Sequence, residues 1–268
     1  MKTIIPTYKD IVTKVSFFIK QLNLKIRKST GRPLAINPEE TIALSLWKQE
    51  TGIPTKKKIF ETFKGNLKCS YKTLVVNMND VIPYIVVILE AILKWNQKKA
   101  HIIKHTDSTD IPVCLNKNAT HHKTMKGQAS WGHSGKGFYY GIKMSITTDL
   151  KRNLLAVRFG TGNSNDRDTF KEMNKDIYGI FVADSGYISK DLEHEFFIEN
   201  KRMLFAKPKA NMKKLITEFQ YQLYNTRMLI ELNFRSLKMF HNLITSLPRS
   251  IDGYLGNYAC SLLAFVLS

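Results

Sequence analysis

Residues 180–187 have the sequence Ile-Phe-Val-Ala-Asp-Ser-Gly-Tyr. This stretch is the starting point for predicting the fold. Four consecutive apolar residues, followed by an acid and small turn-forming residues, are typical of a short strand buried on both faces of a sheet. An acid that directly follows such a strand lies at the carboxyl edge of the sheet, where sites form in open α/β sheets. Asp184 is therefore a candidate site residue, although a lone aspartate there more often has a capping or turn role.

The segments around this strand alternate between β-rich and helical patterns. β-rich runs cover residues 102–106, 138–148, 154–160 and 202–206, and helical spacing covers residues 168–175, 189–200 and 211–240. The order β-β-β-α-β-α-β-α predicts an α/β layer with an antiparallel start, parallel later strands and flanking helices. It is the element order of the ribonuclease-H-like fold.

The charge of the chain is strongly positive and uneven. The chain has 268 residues, and 41 Lys and Arg against 22 Asp and Glu give a net charge of +19. Residues 1–105 hold 19 basic and 7 acidic side chains, whereas residues 106–204 hold 14 and 12. Such an excess favours a polyanionic partner. Nucleic acid is the first candidate, an anionic membrane surface the second, and plain solubility the remaining explanation.

Composition also excludes several classes of protein. A hydrophobic content of 43% and a charged content of 24% are ordinary for a folded soluble chain, which excludes disordered, collagenous and disulfide-scaffold proteins. Cys69, Cys114 and Cys260 are scattered, as expected of reduced thiols inside a cell. The apolar runs 81–89 and 262–267 are too short to span a bilayer, so we expect core segments and no membrane partner.

The first hundred residues are predicted to form a small helical domain. Helical patterns cover residues 8–24, 37–50, 56–64 and 80–95, and Asn37-Pro38-Glu39-Glu40 is typical of a helix start. The basic helix at 56–64 is compatible with a DNA-binding helix-turn-helix and equally with a small bundle that has a solvated lysine face. We therefore divide the chain into a basic helical, DNA-binding arm at 1–100 and a ribonuclease-H-like catalytic domain at 101–268.

A second acid has the same setting as Asp184. Asp107 directly follows the β-rich run 102–106, and a serine comes after each of the two acids. Two acids placed in this way on two strands favour a shared site over two separate turn roles.

The third candidate acid lies on the final helix. Tyr224, Arg227, Glu231 and Lys238 follow one another at helical spacing and so are predicted to share one stripe of that helix. The alternative is a solvated face held by an Arg227–Glu231 pair worth about 0.3–0.5 kcal/mol. That alternative explains neither the tyrosine nor the lysine.

This spacing resembles the Y-R-E-K signature around the last acid of bacterial insertion-sequence transposases. Residues 107–114 resemble the first-acid segment of these proteins, residues 183–189 the second, and residues 249–265 their tail. The resemblance covers roughly residues 100–268 and is closest to insertion-sequence family nine-eighty-two. It implies a DDE transposase with a ribonuclease-H-like catalytic domain, in which Asp107, Asp184 and Glu231 are the catalytic, metal-binding acids.

The chemistry of DNA cutting and joining explains why such a protein needs three carboxylates. Negative charge develops on the attacking and the leaving oxygen of the phosphodiester, and two Mg²⁺ ions about 3.5–4 Å apart can stabilise both. Mg²⁺ prefers carboxylate and water oxygens. We expect Asp107 to bridge both ions and Asp184 and Glu231 to hold one each, with Mn²⁺ able to substitute.

Five further residues are expected to contact DNA. The resemblance implies strand-end contacts for Tyr224 and Lys238, and phosphate contacts for Arg227 and Lys238. Lys143 is a phosphate contact or part of a solvated strand face. Trp131 lies in a stretch rich in Gly, Lys and Ser, residues 120–137, which looks like a mobile, DNA-facing loop where an aromatic ring can stack on a base.

The sequence thus predicts a DDE transposase that binds the terminal inverted repeats of its element and catalyses Mg²⁺-dependent strand cleavage and transfer. Its expected partners are double-stranded DNA, both element ends and target, and further copies of itself on DNA, in the bacterial cytoplasm or nucleoid. Two alternatives stay open. One is a ribonuclease-H-like metal-dependent nuclease without strand transfer, and the other is a catalytically decayed, DNA-binding copy.

Overall fold

A computed structural model describes residues 7–26, 36–200, 202–209, 212 and 215–268. The chain divides into two compact units. The helical unit comprises Met1–Ile92 and Ser236–Ser268, and the sheet unit comprises Leu93–Arg235. The last residues of the chain therefore group with the first, because the apolar C-terminal helix packs against a helix of the helical unit. The assignment of residues 1–100 to DNA binding and 101–268 to catalysis stays a prediction.

Ten α-helices lie in the described residues. They are α1 (Tyr8–Gln21), α2 (Pro38–Glu50), α3 (Lys56–Phe63), α4 (Tyr71–Asp80), α5 (Ile82–Lys98), α6 (Asp166–Met173), α7 (Lys190–Asn200), α8 (Glu218–Thr226), α9 (Met228–Phe240) and α10 (Ile251–Leu267). The predicted start of α2 is confirmed, since the Asn37 side chain accepts a hydrogen bond from the backbone N–H of Glu39 and Pro38 is the first helical residue. α4 was not predicted.

Six strands form one mixed sheet in the sheet unit. They are β1 (Ile103–Pro112), β2 (Ser130–Ser134), β3 (Gly137–Asp149), β4 (Leu154–Thr161), β5 (Ile180–Ala183) and β6 (Met203–Ala206). The order across the sheet is β2-β3-β1-β5-β6, and β4 also pairs with β3. The β1–β3, β2–β3 and β3–β4 pairs are antiparallel, whereas the β1–β5 and β5–β6 pairs are parallel. The predicted fold class, a ribonuclease-H-like mixed sheet with flanking helices and a helical N-terminal region, is confirmed.

Strand β5 is buried on both faces, as its apolar run predicted. Phe181 points to one face, where it packs edge-to-face against Phe170 of α6 and contacts Phe196 of α7. Val182 points to the opposite face, where it packs with Leu223 and Tyr224 of α8. Successive residues of a strand face opposite sides of the sheet, so helices on both sides leave β5 no solvated face.

Two expectations about the sheet were wrong. β1 continues to Pro112 instead of ending at residue 106, because β3 pairs with it along its whole length. The stretch 120–137 is not a loop throughout, because β2 lies within it and pairs with β3. In both cases a neighbouring strand supplies hydrogen-bond partners that the local sequence does not show.

One apolar helical stretch, which begins in the helical unit and ends in the sheet unit, is longer than expected. The helical residues Tyr71–Lys98 are, by length and composition alone, able to cross a membrane, although core helices of soluble proteins pass the same test. The stretch comprises α4 and α5, and Ile85, Ile88 and Ile92 of α5 are buried. The absence of a membrane partner stays a prediction.

Candidate active site at the sheet edge

Asp107 and Asp184 lie level with each other on neighbouring parallel strands. In the β1–β5 register Ile103 is opposite Ile180, and His105 is opposite Val182. Continuing this register by two residues places Asp107 opposite Asp184, directly after the end of β5. Level residues of adjacent strands face the same side of a sheet. The charge of Asp184 accordingly acts on Asp107 and raises its pKa.

The carboxyl group of Asp107 is largely buried, with 21% of its side chain exposed. This burial raises the pKa of Asp107 to about 6, even though the charge of Arg227 and the backbone N–H of Ser108 act to lower it. The N–H of Ser108 donates to Oδ1 of Asp107 at 2.8 Å. One carboxylate oxygen is thus fixed by the strand itself, and the other is turned toward the helix that packs nearby.

Arg227 joins Asp107 to Glu231. Its Nη1 donates to Oδ2 of Asp107 at 2.7 Å, and its Nη2 donates to Oε1 of Glu231 at 2.8 Å. Glu231 lies in the first turn of α9 and 59% of its side chain is exposed. One planar guanidinium therefore stands between two of the three predicted acids.

The predicted single helix over residues 211–240 is wrong. Of this range, residues 211, 213 and 214 lie outside the described residues, and the helical part is split into α8 and α9 at Arg227. The hydroxyl of Thr226 donates to the carbonyl of Leu223 at 2.6 Å and lies 2.8 Å from Nε2 of His105 on β1. A threonine that bonds to the preceding turn bends a helix, and the contact with β1 holds this bend in place.

The bend also changes the predicted stripe. The ring of Tyr224 is buried against β5 and β6, and its hydroxyl donates to the carbonyl of Ala206 at 3.1 Å. Arg227, three residues later, faces the acids instead. Tyr224 therefore packs the helix onto the sheet in this structure, and its contact with DNA stays a prediction.

Sequence reasoning missed a polar cluster beside the acids. The hydroxyl of Ser108 lies 2.7 Å from that of Ser145 and 3.2 Å from that of Tyr187. Burial raises the pKa of Tyr187, so its hydroxyl stays protonated. Tyr187 stands three residues after Asp184 in the stretch that predicted the fold, which was the available signal, whereas no spacing pointed to Ser108 or Ser145.

Two of the other residues predicted to contact DNA are Lys143 and Trp131. Lys143 is opposite Asp110 on β1, three residues or about 10 Å along the strand from Asp107. Its amine donates to the carbonyl of Ser164 at 2.9 Å and forms an ion pair with Asp166 at 3.2 Å. The ring of Trp131 on β2 is half exposed and packs edge-to-face on Tyr140.

Lys238 lies on α9, seven residues after Glu231, and is partly exposed. Two helical turns separate the residues, so both project from one side of this helix. The DNA contacts of Lys143, Trp131 and Lys238 stay predictions.

The donor chemistry of the acids suits a divalent metal, but their present arrangement does not yet form a metal site. Within the described part of the chain, no group of three His, Cys, Asp or Glu side chains is placed to hold a metal ion. The reason is visible at Arg227, whose guanidinium occupies the space between Asp107 and Glu231. Carboxylates supply the hard oxygens that Mg²⁺ takes, and the guanidinium places a positive charge between Asp107 and Glu231. The residue types therefore fit a divalent metal.

Comparison with known proteins gives one match. Neither the curated proteins nor the solved structures include a match to this chain. A family model described as "Transposase DDE domain" matches residues 97–251, which is more than half of the chain. The matched range contains Asp107, Asp184 and Glu231, and the narrower resemblance to insertion-sequence family nine-eighty-two stays a prediction. On this match, together with the mixed sheet that carries the acids, the chain belongs to the transposase DDE domain family.

Proposed function

We propose that the protein is the transposase of an insertion sequence, which binds the terminal inverted repeats of its element and catalyses metal-dependent strand cleavage and strand transfer. The family membership supports a transposase. The observation that carries the finer proposal is the register of β1 and β5, which brings Asp107 level with Asp184 while Arg227 ties Glu231 to the same carboxylate. Asp107 and Asp184 thus share one sheet edge, and in this proposal Glu231 of α9 joins them there when a metal is bound.

The chain's own residues have distinct roles in this proposal. Asp107, Asp184 and Glu231 hold two Mg²⁺ ions, or Mn²⁺ in their place. Such ions, when bound, stabilise the charge on the attacking and leaving oxygens and activate a water or a 3′-hydroxyl. The N–H of Ser108 orients the Asp107 carboxylate. Arg227, once free of the carboxylates, can hold a DNA phosphate in its planar fork.

Surface lysines of the helical unit support the proposed DNA contact. Lys57 and Lys58 of α3 are exposed, and α3 packs through Ile59 onto a core shared with α2 and α4. This leaves the basic face of α3 toward solvent, where it can neutralise phosphates. Both interpretations of this region, a helix-turn-helix and a small helical bundle, agree with this packing. We also propose that the protein acts on double-stranded DNA as a homo-oligomer inside the bacterial cell and has no membrane partner.

The products of a reaction on DNA test this function. The full chain is incubated with Mg²⁺, a linear DNA that carries the element's terminal repeats, and a target plasmid. We expect cleavage at the repeat ends and joint molecules with the plasmid, both lost with a chelator and restored by Mg²⁺ or Mn²⁺. Cleavage without regard to end sequence and without joint molecules would indicate the nuclease alternative. Retention of the ends in a gel shift without any cleavage would indicate a decayed copy.

The salt dependence of end binding tests the basic face of α3. Lys58 is exposed and has only a weak contact with Glu61 at 3.9 Å. Lys58→Ala is expected to lower the slope of log K against log salt by about 1, because one neutralised phosphate is lost. Lys58→Arg, which keeps the charge, is the matched control and should keep the slope. An unchanged slope in Lys58→Ala would place the DNA on another face.

A further inference from the structure

A cavity of about 470 Å³ is lined by residues of the helical unit, and none of the three predicted acids is among them. Residues of α2, α3, α4, α5 and α10 line it, together with residues just before α3 and before α10. Its volume lies in the range of small-molecule sites, roughly 300–1,000 Å³. The cavity is a pocket open to solvent and not an internal void, since Tyr71 and Leu247 in its lining are exposed.

The charges that line the cavity are unbalanced. Lys48, Lys56, Lys57 and Arg249 line it, against a single acid, Asp252. Among the described residues none of the four basic side chains is in an ion pair. Lys48 is buried and Lys56 is partly buried, whereas Lys57 and Arg249 are exposed. A buried charge is normally paired, so Lys48, with Lys56 near it, favours an anionic occupant.

Lys48 is the clearest sign of a built site. It is only 9% exposed, and its amine has one long hydrogen bond, at 3.5 Å, to Oδ1 of Asn257. An ammonium group has three donors. Burial lowers the pKa of Lys48, and the nearby charge of Lys56 lowers it further, so the two amines lie close enough to repel each other.

The neighbouring residues Lys56 and Gln49 also present polar atoms to the cavity. Lys56 donates one bond, at 2.6 Å, to Oδ1 of Asn79, and its pKa is also lowered by burial. Gln49, which is 1% exposed, donates to Asn257 but its own Oε1 has no partner. The cavity thus offers unused amine donors beside one unused amide acceptor, which a ligand with both an anion and a donor would satisfy.

Part of the remaining wall is apolar and indicates the body of the ligand, beside polar residues such as Thr245 and Ser250. Val75 and Met78 of α4, Ile82 of α5 and Leu247 line it, and Tyr71 adds an aromatic ring. A bare inorganic anion would fill little of this volume. Ligand sites combine a mostly apolar lining with a few placed polar groups. A partly apolar body attached to an anion matches both parts of the wall.

We propose that this cavity binds a phosphate ester of nucleotide size, with Lys48 and Lys56 on the phosphate and the apolar wall around the base. The phosphate ester comes either from a free mononucleotide or from a nucleotide of a DNA strand. This proposal goes beyond the proposed transposition and does not depend on it, because none of its residues belongs to the acid site. Lys48 and Lys56 are therefore ligand-binding residues without a role in cleavage.

The test measures binding to the full chain by calorimetry, with inorganic phosphate and adenosine 5′-monophosphate as probes. We expect the nucleotide to bind more tightly than phosphate. Lys48→Met, which keeps the length of the side chain, is expected to weaken nucleotide binding roughly 10- to 100-fold, because one charge-assisted hydrogen bond is lost. Lys56→Met should act in the same direction. Lys9→Met on the exposed surface of α1 is the matched control and should bind as the unaltered chain does.

Two further measurements keep the result interpretable. Circular dichroism and thermal melting show whether Lys48→Met folds, and we expect its melting temperature to rise because an unpaired buried charge is gone. A short single-stranded oligonucleotide then identifies the source of the ligand. Displacement of the oligonucleotide by the mononucleotide indicates a DNA nucleotide, and independent binding indicates a free one. Failure of every probe to bind, or binding that both lysine variants leave unchanged, would overturn the proposal.

Discussion

Replacing Asp107 by asparagine is expected to abolish cleavage and strand transfer while leaving the binding of DNA ends intact. Asp107 lies level with Asp184 and also contacts Arg227. It is therefore the one acid that takes part both in the Asp107–Asp184 pair and in the contacts of Arg227. Loss of a partner outside the metal's own ligand shell costs about 10- to 100-fold in activity, and loss of a ligand should cost more. Asparagine keeps the shape and can still accept the Ser108 N–H, so the fold should survive.

The assay for this variant is best run at pH 8. Burial raises the pKa of Asp107 to about 6, so the carboxyl is ionised at pH 8 and only the amide substitution separates the two proteins. Asp168→Asn is the matched control, because Asp168 is an exposed acid in the first turn of α6. Glu231→Gln should resemble Asp107→Asn. Full activity in Asp107→Asn would remove Asp107 from the catalytic residues and with it the proposed site.

Local sequence predicted those elements whose signals are complete within a few residues. The run Ile180–Ala183 is apolar at every position, which is sufficient to predict a strand covered on both faces. The start of α2 was equally readable, because Asn37 and Pro38 satisfy the helix end by themselves. From these elements an α/β layer and the position of Asp184 at the carboxyl edge of its sheet could be predicted.

The elements that sequence reasoning missed depend on distant partners. Nothing in residues 107–112 indicates a strand; the antiparallel pairing with β3 makes it one, and Asp107 therefore lies inside β1. The bend at Arg227 likewise depends on the contact between Thr226 and His105, which are 121 residues apart in the chain. Periodicity reports which face of a segment is buried but not which neighbour will interrupt it.

The acid site combines features that local sequence predicts with features that depend on distant partners. Residue types and order predicted Asp107, Asp184 and Glu231 as a group, and the β1–β5 register supplied the reason that two of them converge. The sequence did not predict that Arg227 would stand between Asp107 and Glu231, because a helix stripe places an arginine beside one acid on the same helix only. The second contact, across to the sheet, arises from tertiary packing.

Replacing Arg227 by glutamine is expected to change metal binding and catalysis in opposite directions. The guanidinium holds a positive charge 2.7 Å from Asp107 and 2.8 Å from Glu231, where it competes with any cation for the same oxygens. Its removal should strengthen the binding of Mg²⁺ measured by calorimetry in the absence of DNA. Cleavage at saturating Mg²⁺ should nonetheless fall by about 10- to 100-fold, because this variant loses a group that orients two acids and that, in our proposal, holds a DNA phosphate.

Arg227→Lys distinguishes the charge of this residue from its shape. A lysine keeps the positive charge but presents it at one point, so it cannot bridge Asp107 and Glu231 as the planar fork does. We expect Mg²⁺ affinity close to that of the unaltered protein together with reduced cleavage. If Arg227→Gln weakens Mg²⁺ binding as strongly as Asp107→Asn does, then Arg227 positions the carboxylates for the metal and does not compete with the metal for them. The guanidinium would in that case have to stay on the carboxylates throughout the reaction, and it would not be released to a DNA phosphate.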